Sequence, residues 1–200
     1  MNPLKSVAGT IVSGIVLALV IAFLLRTGVA SPIEWTVWFH VVVGITWIGL
    51  LYYFNFVQVP AVANALAEAD SGGPGPAAIN KYVAPRALLW FRWAALLTWL
   101  SGAAALHKLG ILVPAFTFES FTFAGPASVM GMGAWFGTIM LFNVWVLIWP
   151  NQKKILGMVQ ASAEEIAKAK VVALMASRTN TLLSIPMLLG MTAYGHGMPF

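Results

Sequence analysis

Three histidines are the side chains in this sequence that are best suited to binding a metal. His40 stands out because it lies in the stretch WFHVVVGITWIGLLYYFNFVQVP (38–60), which is otherwise almost wholly apolar. An imidazole near hydrocarbon is costly unless something binds it. Neutral imidazole is a ligand for haem iron and for copper. The alternative is that His40, like His107 and His196, only hydrogen-bonds to water or to the backbone at a membrane interface.

Cysteine is absent from the sequence, and this absence limits the kinds of metal site that it can form. Disulfides, iron–sulfur clusters and thiolate sites are excluded, and so is covalent c-type haem, which needs a Cys-x-x-Cys-His motif. A metal or a haem would therefore be held by histidine, methionine, or other nitrogen and oxygen ligands.

The composition predicts an integral membrane protein. Of the 200 residues, 60% are hydrophobic and 8% are charged, whereas soluble domains have about 25% charged residues. The first apolar run is longer than that of a usual signal peptide, so we interpret it as a retained anchor. A spanning helix needs about 20 mainly apolar residues. We predict an all-α fold, a single membrane domain over residues 1–200, with five transmembrane helices at about 7–26, 34–59, 86–108, 127–149 and 171–194.

The basic residues predict the orientation of these helices. With five spans, the N-terminus and the connections at 60–85 and 150–170 share one side. The positive-inside rule then predicts a cytoplasmic N-terminus and an external C-terminus. No nucleic-acid-binding motif accompanies the formal charge of +5, so no nucleic-acid partner is expected. Eight of the 11 basic residues belong to the predicted cytoplasmic side: Lys5, Lys81, Arg86, Lys153, Lys154, Lys168, Lys170 and Arg178.

Two connections between the spans have distinct patterns. The external segment GILVPAFTFESFTFAGPAS (110–128) is rich in phenylalanine, and the alternation in TFESFTF allows a short strand pair. Residues 151–178 have helical periodicity and mixed charge. This pattern predicts that the fourth and fifth spans join through helical extensions beyond the bilayer.

In this topology all three histidines fall toward the external face. His40 enters the second span about 8 Å below Trp35, at 1.5 Å per residue. His107 ends the third span and His196 follows the fifth. Two histidines from different helices at similar depth could hold a haem b or contribute to a copper site. Spacing alone does not separate His107 from His196 as the partner of His40.

Trp47 and Arg92 are further candidates for contact with a bound cofactor. Trp47 lies one heptad after His40 and so faces the same side of its helix. Arg92 lies deep enough in the third span to need a partner, which could be a haem propionate, an acidic substrate or a backbone carbonyl. The alternative for Arg92 is that it snorkels toward the cytoplasmic side.

Several segments resemble the membrane domain of bacterial cytochrome c-type urate oxidases (urate hydroxylases). More distantly, the order of a histidine, TWLSG and SRTN is similar to the four-helix haem-binding protoporphyrinogen oxidases, in which case spans two to five form a core and span one is an addition. The resemblance implies a bacterial inner-membrane oxidoreductase that passes electrons to a cytochrome c, with haem at His40 and His196. The segments are FHVVVGITWIGLLYYF, LLWFRWAALLTWLSG, WPNQKK, and SRTNTLLSIPMLLGM followed by YGHG.

The chain departs from the urate oxidase pattern at several polar positions. That pattern has a histidine before the WF of the third span, a glutamate after the next tryptophan, and SRHN in the fifth span. Here these positions are Leu89, Ala94 and Thr179. The sequence also has no Cys-x-x-Cys-His motif of the fused cytochrome c. These differences argue against a simple transfer of urate oxidation to this chain.

Three functions follow as hypotheses. The first is a haem b-binding membrane protein that relays electrons to a separate periplasmic cytochrome c. The second is a cofactor-free accessory subunit of a larger respiratory or photosynthetic complex in the bilayer. The third is an oxidase acting on urate or a porphyrinogen. The first is favoured narrowly over the second, because His40 and His196 occupy positions where the resemblance implies haem.

The distribution of basic residues generates a topology prediction. A reporter fused at the C-terminal end should be active outside the cytoplasm, and a reporter inserted at residues 70–76 should be active inside, because basic flanks are retained on the cytoplasmic side. Paired alkaline phosphatase and fluorescent-protein fusions measure both positions. The reverse pattern would place the three histidines on the cytoplasmic side.

Overall fold

A computed structural model describes residues 2–26, 28–29 and 31–199. The described chain is helical and contains no β-strand, which confirms the all-α prediction. The five predicted helices are all present, and each is long and apolar enough to cross a membrane. Four of them run beyond the predicted apolar stretches into more polar sequence. Their bounds are Val7–Leu24 (α1), Pro32–Ala67 (α2), Ile79–Lys108 (α3), Pro126–Ile155 (α4) and Ala163–His196 (α5).

The chain divides into two compact units, residues 1–32 and 33–200. The first unit consists mainly of α1, whose N-terminus is capped by Ser6, where the hydroxyl accepts a hydrogen bond from the Gly9 N–H at 3.0 Å. None of its described residues is buried. An apolar helix of this kind, with no buried face of its own, is typical of a segment surrounded by lipid.

In the second unit, α2, α3, α4 and α5 form an antiparallel bundle. The contacts run around it from α2 to α3, from α3 to α4, from α4 to α5 and from α5 back to α2. One end, which we call the histidine end, contains the start of α2 and the end of α5. The opposite end, which we call the basic end, contains the starts of α3 and α5. Its basic residues are Lys81, Arg86, Lys153, Lys154, Lys168, Lys170 and Arg178.

The closest helix pair is α4 with α5. Gly133 and Gly190 face each other so closely that a Cβ on Gly190 would lie 2.8 Å from the Gly133 nitrogen. Further toward the basic end, the Asn143 side-chain amide donates to Asn180 Oδ1 at 2.8 Å. The Asn180 amide in turn donates to the Met140 carbonyl at 3.0 Å. Small residues that allow close approach and polar side chains that bond across helices are the usual means of association between apolar helices.

Helix α2 is joined to α5 by two hydrogen bonds between side chains. The Tyr52 and Ser184 hydroxyls lie 2.9 Å apart, and the Asn55 amide donates to Ser177 Oγ at 2.8 Å. Ser184 is fully buried. Because the α2 residue number rises as the α5 number falls, these two bonds also set the antiparallel register of the pair.

Three π-helical stretches interrupt the regular helices: Phe54–Gln58 in α2, Ile79–Val83 in α3 and Asn143–Ile148 in α4. A π-helical stretch inserts one residue and turns the side chains that follow it. Asn55 and Asn143 both lie in such stretches, and both side chains bond to α5. Two polar contacts of α5 are therefore supplied from irregular parts of its neighbours, whereas Tyr52 bonds to Ser184 from the regular part of α2.

The connections between helices agree with only part of the sequence interpretation. The strand pair allowed for TFESFTF is wrong: the described segment is helical at Leu112–Phe116, and Phe118–Phe121 have positive φ values that form a left-handed turn. Tertiary contact overrides the alternating pattern here, because Glu119 accepts a hydrogen bond from the Ala127 N–H in the first turn of α4 at 2.8 Å. The predicted helical extensions between α4 and α5 are confirmed, and Ser162 caps α5.

The close approach of α4 and α5 generates a stability prediction. Gly190→Ala should lower the free energy of unfolding by about 1–3 kcal/mol, because its new methyl group meets the backbone of α4. Thermal unfolding in detergent measures the change. The matched control is Gly49→Ala, where a Cβ meets nothing within 4 Å and alanine is the better helix former by about 1 kcal/mol. Equal stability of the two variants would contradict the assignment of Gly190 to a tight interface.

Candidate functional site

His40 is held against α3 by a hydrogen bond to the backbone. Its Nδ1 lies 2.8 Å from the carbonyl oxygen of Thr98 and 3.3 Å from Ser101 Oγ. Since a carbonyl can only accept, we assign the proton to Nδ1. The other ring nitrogen, Nε2, makes no hydrogen bond with any residue that the structure describes. In the neutral ring Nε2 therefore carries a free lone pair, which is the form that binds a metal.

Gly102 allows the imidazole to lie directly on α3. A Cβ at this position would lie 2.9 Å from His40 Cε1 and 3.2 Å from Nδ1. Any larger residue would therefore push the ring away from the Thr98 carbonyl. On α2, Gly44 leaves ordinary contact space, with the Thr98 methyl 3.7 Å from the place of a Cβ.

His196 lies at the same level of the bundle as His40 but is not in contact with it. The Tyr52–Ser184 hydrogen bond joins α2 to α5, and each histidine lies 12 residues beyond this bond, from 52 back to 40 and from 184 on to 196. Both are thus about 18 Å from it along their helices. Because twelve residues make about three and a third helical turns, each histidine side chain is also rotated by about a third of a turn from the helix face that forms the Tyr52–Ser184 bond. The imidazole of His196 is exposed.

His107 is exposed in the last turn of α3, near the histidine end. Its side chain, like that of His196, makes no hydrogen bond within the described part of the chain. No group of three or more histidine, aspartate or glutamate side chains suited to a metal is present among the described residues. The structure therefore brings His40 to α3 and leaves the other two histidines at the surface.

Trp47 lies on the same face of α2 as His40 and is buried in the core of the bundle, with 2% of its surface exposed. Its indole N–H has no acceptor among the described residues. An unpaired buried donor costs about 1–3 kcal/mol. The face of α2 that carries His40 Nε2, which has no hydrogen-bond partner among the described residues, therefore also carries the unpaired Trp47 N–H. The heptad spacing predicts that the two residues share this face.

The Arg92 side chain is directed toward the basic end and away from His40. Its guanidinium lies over the Trp149 ring, 3.8 Å from the centroid. Trp149 lies one turn beyond Trp145, which packs against the neighbouring Trp93 at 5.5 Å. Arg92 is also six residues before Thr98, or about 9 Å along α3. Of the arrangements considered from the sequence, the structure shows the one in which the Arg92 side chain snorkels toward the basic end.

Sequence reasoning did not identify Thr98 or Gly102 as part of the site, although both belong to the quoted segment TWLSG. The available signal was the spacing of small and hydroxyl residues at 98, 101 and 102, which places them on one face of a helix. Such a face permits close approach of another helix. The pattern does not show which helix comes close, and the contact with His40 joins residues 58 positions apart.

Comparison with known families gives a match over the bundle. The family model described as urate oxidase N-terminal matches residues 33–112 and 105–200. The chain belongs to the urate oxidase N-terminal family. The match covers α2 to α5 and begins after α1, so the four-helix bundle is the part that this family shares. No curated protein and no solved structure matches the chain.

The three positions where the chain departs from the urate oxidase pattern have different environments. Leu89 and Thr179 are exposed, whereas Ala94 is buried and its carbonyl accepts a hydrogen bond from Thr98 Oγ1 at 2.7 Å. A carboxylate at position 94 would be buried among apolar core residues, where an unpaired charge is costly. Alanine there is consistent with a bundle core that carries no charge at this level.

His40 offers one nitrogen ligand of the kind that haem iron accepts. The Nδ1 proton is bound by a carbonyl, Nε2 is free, and the neighbouring residues of α3 are small. Haem proteins such as globins and peroxidases use a single proximal histidine. A second histidine ligand would have to turn inward from the surface, because His107 and His196 are both exposed.

The contact between His40 and Gly102 generates a second stability prediction. Gly102→Ala should destabilise the protein in the presence of His40 but not in a His40→Ala background, because the added methyl group then has space. Thermal unfolding of the four proteins of this double-mutant cycle measures the coupling. Gly44→Ala is the control and should show little coupling. Equal effects of Gly102→Ala in both backgrounds would exclude the direct ring contact.

Proposed function

We propose that this chain is a haem b-binding integral membrane protein of the bacterial inner membrane that relays electrons to a separate periplasmic cytochrome c. The single observation that supports this proposal is the geometry of His40. Its Nδ1 is hydrogen-bonded to the Thr98 carbonyl at 2.8 Å, and its Nε2 is left free. Histidine ligands to metals almost always donate their other ring N–H in this way.

Each residue of this site has a defined part in the proposal. His40 would hold the iron through Nε2, and the Thr98 carbonyl would fix the tautomer and increase the basicity of the ligand. Gly102 would set the distance of the ring from α3. The bound haem would supply one-electron oxidation and reduction of its iron. The apolar bundle would exclude water from that side of the imidazole.

His196 is the proposed second ligand, because it lies at the level of His40 on the helix that α2 contacts. It is the last residue of α5, and Gly197 follows it with a φ of 83°. A helix end of this kind can change its side-chain direction without disturbing the core. His107 is the alternative, at the end of the helix that already contacts His40.

The location of the site supports a partner on the outer side of the membrane. With the basic end in the cytoplasm, as the positive-inside rule requires, His40 lies near the periplasmic face. A cytochrome c, or a redox subunit of a larger complex, would approach there. Electron transfer would then need no substrate pocket in the cytoplasmic half of the bundle.

Oxidation of urate or a porphyrinogen is a weaker proposal for this chain. The polar groups that join α5 to α2 and α4 are hydroxyls and carboxamides, and they are hydrogen-bonded to one another. They supply no carboxylate or imidazole to act as a general acid or base. If His40 serves only to join α2 to α3, we propose instead that the chain is a cofactor-free accessory subunit of a larger respiratory or photosynthetic complex.

Absorption spectroscopy of the detergent-solubilised protein, expressed with sufficient haem, tests the proposal. Wild-type protein should show a Soret band that shifts on reduction. His40→Ala should lose haem or change this spectrum while still inserting into the membrane, because an axial metal bond is removed. His196→Ala should have the same effect, and His107→Ala a much smaller one.

The controls separate loss of the ligand from loss of the fold. Membrane insertion of each variant should remain close to wild type. His40→Ala should lose about 1 kcal/mol of stability, because it removes the hydrogen bond to Thr98, and externally added imidazole should restore its haem binding. Absence of Soret absorbance in wild-type protein would rule out the haem proposal, as would an unchanged spectrum in His40→Ala.

A further inference from the structure

A cluster of cations and one tryptophan occupies the side of the bundle near the basic end. Arg92 of α3 lies 3.8 Å from the centroid of the Trp149 ring, and Lys153 Nζ lies 5.8 Å from the same centroid. All three residues are half-buried, so their side chains remain accessible from outside the bundle. We call these three residues the Trp149 cluster.

The positive charge of this cluster is not neutralised by the described protein. Of the described carboxylates near this end, Glu165 pairs with Lys154 at 3.7 Å and Glu164 pairs with Lys168 at 2.7 Å, and Glu68 makes no salt bridge with Arg92 or Lys153. No carboxylate lies within salt-bridge distance of Arg92 or Lys153 in the part of the chain that the structure describes. A guanidinium that emerges from the middle of an apolar helix is costly without a counterion.

The indole ring accounts for only part of the stabilisation that Arg92 needs. A cation over an aromatic face gains about 0.5–2 kcal/mol, and the ring leaves the N–H donors at the edge of the guanidinium free. Those donors form a planar fork that matches two oxygens of a phosphate. Lys153 adds a second cation beside the same ring. The arrangement is therefore suited to a phosphate anion.

The depth of the cluster matches the position of lipid phosphates. Helix α4 has 30 residues, which span about 45 Å, comparable to the full thickness of a bilayer with its headgroups. Trp149 lies six residues before the end of α4 at Ile155, or about 9 Å along the axis. This level corresponds to the boundary between hydrocarbon and headgroups, where tryptophan and arginine are commonly found.

We propose that the Trp149 cluster binds the phosphate of an anionic phospholipid, with Arg92 as the main contact and Lys153 as the second. The lipid, such as phosphatidylglycerol, would lie against α3 and α4, its phosphate on the guanidinium and its acyl chains along both helices in the direction of the histidine end. Basic pockets between transmembrane helices near the cytoplasmic side recognise anionic headgroups by this chemistry. The site is independent of haem binding at His40.

Native mass spectrometry of the full-length protein, released from nanodiscs of mixed phosphatidylcholine and phosphatidylglycerol, tests the proposal. Wild-type protein should retain phosphatidylglycerol in preference to phosphatidylcholine. Arg92→Gln should weaken this retention about fivefold, as expected for the loss of one basic contact at a membrane surface. Lys153→Gln should have a smaller effect in the same direction.

Lys168→Gln is the matched control, because it removes the same charge from the same end of the bundle at a residue paired with Glu164. It should leave lipid retention unchanged. If Arg92→Gln does not insert, Arg92→Lys tests the same contact, since it keeps the charge but loses the planar fork. Equal retention of the two lipids by wild type, or equal effects of Arg92→Gln and Lys168→Gln, would overturn the proposal.

A second measurement distinguishes the sources of phosphate. Quenching of tryptophan fluorescence by brominated phosphatidylglycerol should exceed quenching by brominated phosphatidylcholine, and Trp149→Phe should remove the difference. Displacement of the brominated lipid by inorganic phosphate alone would identify a free-anion site and overturn the lipid assignment.

A change of the haem spectrum in Arg92→Gln without any change in lipid retention would overturn the lipid proposal and assign Arg92 to a haem propionate instead.

Discussion

The bundle depends on close backbone contact between α4 and α5, because helices in an apolar environment gain little from burying further apolar surface. Gly133 and Gly190 bring the two backbones together, and the Asn143–Asn180 hydrogen bond holds them at a fixed rotation. Association of this kind relies on packing and on polar bonds between helices. Once α4 and α5 are fixed, α2 attaches through Tyr52, and α3 packs between α2 and α4.

This arrangement separates the molecule into two halves with different polar chemistry. Toward the basic end, carboxamides are hydrogen-bonded across helices, whereas Gln58 Oε1 and Trp145 Nε1 are buried without a partner among the described residues. At the histidine end, the hydrogen-bond partners that His40 has among the described residues come from α3, and its other ring nitrogen has no partner among them. The free imidazole nitrogen therefore lies near one end of the bundle, and the cations of the Trp149 cluster lie near the other.

The chain belongs to the urate oxidase N-terminal family. The shared region is the four-helix bundle, and the chain has Leu89, Ala94 and Thr179 where the urate oxidase pattern has ionisable groups. The proposed haem would use His40, its support on α3, and His196 or His107 as the second ligand.

The sequence alone determined the class of the protein, the number of its long helices and their boundaries to within several residues. These features follow from local composition, since a run of about 20 apolar residues can satisfy its backbone only as a helix within a membrane. The sequence also indicated that His40 and Trp47 share a face, because the helical period depends only on residue number. It could not exclude strands in TFESFTF, where the left-handed turn at Phe118–Phe121 and the bond from Ala127 to Glu119 decide the conformation.

Only the tertiary structure decided which groups meet. The contact of His40 with Thr98 and Gly102 depends on the approach of two helices whose residues are about 60 positions apart, and no local pattern specifies that distance. The same holds for Arg92, for which the sequence left three partners and a snorkelling side chain open until the fold placed it on Trp149. His40 and His196 are level because the Tyr52–Ser184 bond sets the register of α2 and α5. Registers and rotations of this kind result from packing between helices, so they are absent from any single segment of the sequence.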